Sequence, residues 1–141
     1  MPQPIRYDST SLDLTKRFQV YKTVDASPAA ASETVIATLT LASFADISVV
    51  SGIQVSGWCA FTVGTSGASA TLKVRQTNVA GATVVTSGVT TGGIAAGNLC
   101  IMDVEGFDAG AGASSYALTL TIGSGAAAST VSALMLRAII I

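Results

Sequence analysis

The chain has 141 residues, of which half are hydrophobic and 11% are charged, with a formal net charge of −1 and no histidine. This length fits one domain. The low charge excludes a charge-dense disordered tail and makes a nucleic-acid-binding surface unexpected, because neutralising phosphates needs clustered Lys and Arg. Without histidine, Ser-His-Asp and Cys-His catalysis, histidine metal sites and a histidine pH switch cannot occur.

Residues 1–28 predict an extended N-terminal arm. Residues 1–33 hold eight of the fifteen charges and all three prolines, without a sustained strand or helix period. Several apolar and aromatic side chains set this segment apart from a disordered tail and suggest that it docks on its own domain or on a neighbour. They are Ile5, Tyr7, Leu12, Leu14, Phe18, Val20 and Tyr21. The four residues 18–21 are compatible with a short strand.

The rest of the chain, 29–141, predicts an all-β domain. Val, Ile, Thr and Leu dominate, and clusters of Gly, Ser, Asn and Ala interrupt them at short intervals. The predicted strands span 34–41, 46–50, 53–63, 70–77, 83–87, 98–107, 115–122 and 130–141, and 88–97 is predicted to be a glycine-rich loop. Eight strands of this length predict a jelly-roll sandwich. An immunoglobulin-like sandwich would require a Cys, Trp and Cys spacing that this sequence lacks.

The strand at 53–63 shows the clearest alternation. Its odd-numbered positions from Ile53 to Val63 predict the buried face, and Trp58 and Ala60 lie on the other face. In the strand at 98–107, Asp103 and Glu105 share one face. A calcium site or a paired-carboxylate hydrolase would need more oxygen ligands or a substrate groove than the sequence indicates, so a polar strand face is the expected interpretation.

The last strand is apolar on both faces. Val131, Ala133, Met135, Ile139 and Ile141 are predicted to face inward, which leaves Leu134, Leu136 and Ile140 outward. An apolar outward face needs a cover, so we expect a homo-oligomer, specifically a homotrimer. The predicted interface comprises Trp58, Lys73, Arg75, Asp103, Glu105, Leu134, Leu136 and Ile140, with Lys73 and Arg75 pairing the acidic residues of a neighbouring subunit.

Cofactor and localisation predictions follow from what the sequence lacks. No cofactor is expected, since the glycines match no phosphate loop or dinucleotide motif. No apolar run is long enough to span a membrane. Residues 1–8 contain no apolar segment typical of a signal peptide, so we expect synthesis in a cytoplasm. Cys59 and Cys100 are then expected to be reduced, buried thiols, although a disulfide between them stays an alternative.

The segments 110–122 and 131–141, joined by a loop of Gly, Ser and Ala, resemble the closing hairpin of small trimeric jelly rolls in tailed-bacteriophage virions. The resemblance covers the strand pattern of residues 33–141. It implies a structural, non-enzymatic virion protein that decorates or cements a capsid, with the major capsid protein lattice and other copies of itself as partners. A receptor- or glycan-binding tip using Trp58 and the loop 88–97 is the alternative. An enzyme using Asp103 and Glu105 is a third and less favoured hypothesis.

Overall fold

The structure of the chain is a computed structural model. It describes residues 17–26, 28, 32–41, 51–88, 90–110, 113–123 and 129–141. Every helix or strand in these ranges is a β-strand: β1 Arg17–Ala26, β2 Glu33–Thr40, β3 Gly52–Thr62, β4 Ala68–Gln76, β5 Thr83–Thr86, β6 Thr90–Ile94, β7 Leu99–Ala109, β8 Ser115–Ile122 and β9 Thr130–Ile140. Within the described ranges, no helix has the length and apolar character needed to cross a membrane.

The strands form two antiparallel sheets with the strand order of a jelly roll. The four-stranded sheet has the order β1-β9-β3-β7. The five-stranded sheet has the order β2-β8-β4-β5, and β6 also pairs with β4. Because β5 pairs with β4 near Val74 and β6 pairs with it near Ala70, the two short strands follow one another along the same edge. They act as one interrupted strand, so the predicted jelly-roll sandwich is confirmed.

The core lies between the two sheets and follows the period-two alternation of the strands. On β3, the side chains of Ile53, Val55, Cys59 and Phe61 are almost completely buried, as the alternation predicts. From the other sheet, β4 and β8 contribute fully buried side chains, of which Leu72, Tyr116, Leu118, Leu120 and Ile122 are among the largest. Burial of this continuous apolar layer is the main force that holds the two sheets together.

The sandwich begins earlier in the chain than the boundary predicted at residue 29. Residues 17–26 form β1, which pairs with β9 from Arg17↔Ile139 to Ala26↔Val131 and is an edge strand of the four-stranded sheet. Residues 1–16, where the remainder of the predicted arm falls, lie outside the described residues, as does the predicted strand at 46–50. The predicted loop at 88–97 contains β6.

The face assignment predicted for the last strand was wrong. Leu134, Leu136 and Ala138 are fully buried in the core, Ile140 is nearly so, and Met135 is only half-buried. The reason is a register shift: Ala60 pairs with Ala133, but Phe61 pairs with Val131, so Ser132 is an extra residue on β9. Such a bulge reverses the alternation beyond it. Val131 faces inward as predicted, whereas the next inward residue is Leu134.

Candidate interaction face of the four-stranded sheet

The outward side of the four-stranded sheet carries an unusual number of apolar side chains. Successive side chains of a strand point to opposite sides, so one residue in two belongs to this surface. We call the surface the outer apolar face; its apolar members are Tyr21, Trp58, Leu99, Ile101, Phe107, Met135 and Ile139. Four of them leave large fractions exposed: Ile101 69%, Tyr21 63%, Leu99 61% and Phe107 49%.

An aromatic pair lies in the middle of the outer apolar face. The strand register aligns Tyr21 with Met135, and Met135 with Trp58, in one row across β1, β9 and β3. The Tyr21 and Trp58 rings meet edge to face, with centroids 6.1 Å apart and an interplanar angle of 74°. Because edge-to-face pairs are favourable, this contact fixes the orientation of two large side chains that remain open to a partner.

Charged side chains lie in two separate groups on the same side of the sheet. Arg17 is on β1 and Arg137 on β9, whereas Asp103 and Glu105 are both exposed on β7. Arg137 Nε donates a hydrogen bond of 3.2 Å to Ser56 Oγ, and the Gln54 amide donates to Glu105 Oε1. None of these four charged groups forms an ion pair with another of the described residues.

The outward side of the five-stranded sheet has the opposite character. Arg75 binds Glu33 with both Nε, at 2.5 Å, and Nη2, at 2.8 Å. Thr119 Oγ1 donates to the same carboxylate at 2.5 Å, and Lys73 Nζ lies 3.8 Å from it. Hydrogen bonding from Arg75 is the main cause that lowers the pKa of Glu33 to about 2, and it raises the pKa of Arg75.

The basic residues on β4 have a carboxylate partner within their own chain. Lys73 and Arg75 were expected to pair with Asp103 and Glu105 of a neighbouring subunit. Lys73 and Arg75 lie in the five-stranded sheet, and Asp103 and Glu105 lie in the four-stranded sheet. Glu33, however, supplies a carboxylate within the same chain, which binds Arg75 with two hydrogen bonds and lies 3.8 Å from Lys73 Nζ.

Asp108 does not join the other acidic residues of β7. Its carboxylate accepts hydrogen bonds from the Tyr116 hydroxyl at 2.7 Å and from Gln76 Nε2 at 2.9 and 3.1 Å. In the part of the chain that the structure describes, no three His, Cys, Asp or Glu side chains come close enough together to hold a metal ion. Asp103 and Glu105 are both exposed on β7.

The other predicted site residues lie in different parts of the structure. Leu134 and Leu136 are fully buried and Ile140 is almost so, so they are not available to a second subunit. Among the predicted arm residues, Phe18 and Val20 pack against the core of their own domain, and Tyr21 lies on the outer apolar face. The remaining four, Ile5, Tyr7, Leu12 and Leu14, fall outside the described residues.

The two cysteines lie on the inner side of neighbouring strands. Cys59 pairs with Met102, and Phe61 pairs with Cys100. Cys100 therefore lies two residues from the partner of Cys59, on the same side of the sheet. Both are free thiols. Burial raises the pKa of Cys59 to about 12, which keeps it protonated and unreactive. Cys100 is half-buried rather than buried as predicted.

Five members of the outer apolar face were not among the predicted site residues: Leu99, Ile101, Phe107, Met135 and Ile139. The sequence does carry a signal for β7, because apolar residues at 99, 101 and 107 share the face of Asp103 and Glu105. For Met135 the sequence offers no such signal, since the bulge on β9 determines its side.

The chain is similar in fold to proteins of virus particles. No protein-family model matches the sequence, and no curated protein does. A viral particle of infectious bursal disease virus matches with a TM-score of 0.56 and 11% identity, covering 88% of this chain and 31% of that one. The VP2 subviral particle of the same virus gives a TM-score of 0.52 at 13% identity, covering 87% and 32%. The chain thus spans about a third of those viral chains.

A bacterial surface structure is also similar. A protein from Bacillus endospore appendages, which form disulfide-linked pili, has 24% identity over 89% of both chains and a TM-score of 0.45. At these identities the likeness concerns the fold, which many unrelated functions share.

Proposed function

We propose that the chain is a structural subunit of a virus particle that associates with further copies of itself. The observation that carries this proposal is the outer apolar face. Large apolar side chains are exposed together on one sheet face, and such a surface in water favours a partner. The jelly-roll sandwich, which is similar in fold to a protein of the infectious bursal disease virus particle, supports a shell-building role.

The finer form of the proposal is a homotrimer that decorates or cements the capsid of a tailed bacteriophage. Residues 1–16, which include Ile5, Tyr7, Leu12 and Leu14, would then contact neighbouring subunits on the shell. Many weak contacts repeated over a lattice give strong binding without high affinity at any one site. This role needs buried area and geometry rather than reactive groups, in keeping with the unreactive Cys59.

The alternative of a receptor- or glycan-binding tip is less well supported. Its two candidate features were Trp58 and the loop 88–97. Trp58 belongs to the four-stranded sheet, whereas β6, inside that loop, belongs to the five-stranded sheet. The two features therefore do not share a sheet face, and Trp58 already packs against Tyr21.

Sedimentation velocity and equilibrium of the purified full chain test the proposed self-association. We expect the weight-average mass to rise above that of one chain at micromolar concentration. A chain that stays monomeric throughout this range contradicts the proposal. To test the cement role, heat release of the contents of a phage head is compared with the full chain bound and with a chain lacking residues 2–16. We expect the full chain to protect the shell better.

A further inference from the structure

The charges on the outer apolar face are divided between its two halves. Strand order places β1 and β9 on one half, with Arg17 and Arg137, and places β7 at the opposite edge, with Asp103 and Glu105. These four charges sum to zero, but they are separated across the strands of the sheet. An identical face can satisfy these charges if it is turned so that the acidic edge of one copy lies over the basic half of the other.

Only one orientation of a two-fold axis between two such faces achieves this. If the axis runs parallel to the strands, each β7 lies over the partner's β1, and each β3 lies over the partner's β9. Glu105 and Arg137 belong to the same row, through Ser56, so the rotation brings them within about one strand spacing, roughly 4.8 Å sideways. An axis perpendicular to the strands would instead place β7 on β7, with like charges opposite each other.

The same rotation also matches the apolar side chains. In the row of Tyr21, Met135, Trp58 and Asp103, the Trp58 ring of one copy lies over Met135 of the other. The area of the outer apolar face is also large enough for a stable interface. Four strands about 4.8 Å apart and about 35 Å long cover roughly 650 Å² per copy. The total of about 1,300 Å² lies within the range of stable protein interfaces.

We propose that two copies of the chain pack through their outer apolar faces about a two-fold axis parallel to the strands, with Glu105 of each copy facing Arg137 of the other. The proposal rests on the self-association proposed above and specifies its surface and symmetry. Such an isologous contact produces even-numbered assemblies: a dimer, or a hexamer if trimers also form through another surface.

A charge exchange tests the contact. Arg137→Glu and Glu105→Arg each place like charges opposite one another, and we expect each to weaken association by about tenfold or more. The double variant restores opposite charges, and we expect it to recover most of the loss. The dissociation constant is measured by sedimentation equilibrium on the full chain, and circular dichroism during heating confirms that each variant is folded.

An apolar substitution provides a second test that does not depend on the charge pair. Ile101→Asp lies on the outer apolar face and is 69% exposed, whereas the matched variant Val35→Asp lies on the five-stranded sheet and is 39% exposed. We expect Ile101→Asp to weaken association at least tenfold, and Val35→Asp to leave it unchanged.

The results separate the two proposals. If the unmodified chain associates but none of the variants on the outer apolar face changes the dissociation constant, face pairing is overturned and self-association stands. If the double charge variant is no tighter than the single variants, the stated symmetry is overturned. If the unmodified chain stays monomeric, self-association fails, and face pairing fails with it.

Discussion

The Tyr116 hydroxyl donates a hydrogen bond of 2.7 Å to Asp108 Oδ2, and this contact joins the two sheets of the sandwich. Tyr116 is on β8 and Asp108 is on β7, so the bond crosses between the five-stranded and the four-stranded sheet. The same phenol oxygen accepts a hydrogen bond of 3.0 Å from the Ala113 amide. Burial is the main cause that raises the pKa of the Tyr116 phenol, so the hydroxyl stays a donor throughout the ordinary pH range.

Tyr116→Phe tests the contribution of this hydroxyl to stability. The substitution keeps the buried ring but leaves the Ala113 amide without its acceptor and Asp108 without one donor. We expect the free energy of unfolding to fall by about 1–3 kcal/mol, measured by urea denaturation. Tyr21→Phe is the matched control, because Tyr21 is 63% exposed, and we expect it to change stability by less than about 0.5 kcal/mol. Equal effects of the two variants would contradict the assignment.

The sequence predicts the middle of the sandwich well because those strands alternate without interruption. On β3 every residue that the period of two places inward, from Ile53 to Phe61, is buried, and β8 has the bounds predicted for it, 115–122. On β3 one face packs on the core, so the alternation reports a burial that the structure requires. On β8, residues 116–120 are buried on both faces.

The sequence-based predictions fail where the pairing of the backbone determines which face of a strand is buried or whether a strand forms. Ser132 forms the bulge that reverses the faces of β9, and its identity gives no sign of that bulge. β1 is stabilised by pairing with β9, more than 100 positions away along the chain, so its local sequence appeared only weakly strand-like. Of the candidate site, Trp58 and Tyr21 were predicted as contact residues, but the position of Tyr21 and Met135 beside Trp58 depends on these two pairings.

The lowered pKa of Glu33 predicts that the folded chain loses stability in acid. Its pKa is about 2 in the folded chain, against an ordinary value of 4.5, so the unfolded chain takes up a proton first as pH falls. The contribution of Glu33 is thus complete above pH 4.5 and is lost as pH falls towards 2. We expect Glu33→Gln to lower the free energy of unfolding at neutral pH by about 1–3 kcal/mol and to flatten this part of the pH profile.

The measurement is urea denaturation of both chains at several pH values between neutral and acidic. The difference between the two free energies of unfolding should shrink steadily as the pH approaches the lowered pKa. A difference that is independent of pH would show that Glu33 acts through packing alone, and not through the charge that Arg75 and Lys73 bind.

Gly57 allows close packing between the sheets. It is buried on β3, and a Cβ at this position would lie 2.7 Å from Leu118 Cδ1 on β8 and 3.3 Å from the Met135 carbonyl oxygen. We expect Gly57→Val to lower the free energy of unfolding by about 1–3 kcal/mol through overpacking. We expect Leu118→Ala alone to lower the free energy of unfolding by about 2–5 kcal/mol, because it leaves a cavity.

The double variant of Gly57→Val and Leu118→Ala distinguishes overpacking from other causes. The valine should partly fill the space vacated by Leu118, so the double variant should be more stable than the sum of the single effects predicts. Additive effects in urea denaturation would mean that the two positions are not in direct competition for the same volume.

Substitutions at the neighbouring positions Leu136 and Met135 test which face of β9 is buried. Leu136 is fully buried in the core, and Met135 is half-buried on the outer apolar face beside Tyr21 and Trp58. We expect Leu136→Ala to lower the free energy of unfolding by about 2–5 kcal/mol, and Met135→Ala by less than about 1.5 kcal/mol because it removes less buried area. Measuring both at low protein concentration limits any contribution from association. Because uninterrupted alternation from Val131 would give the opposite ranking, the order of the two losses reports directly on the bulge at Ser132.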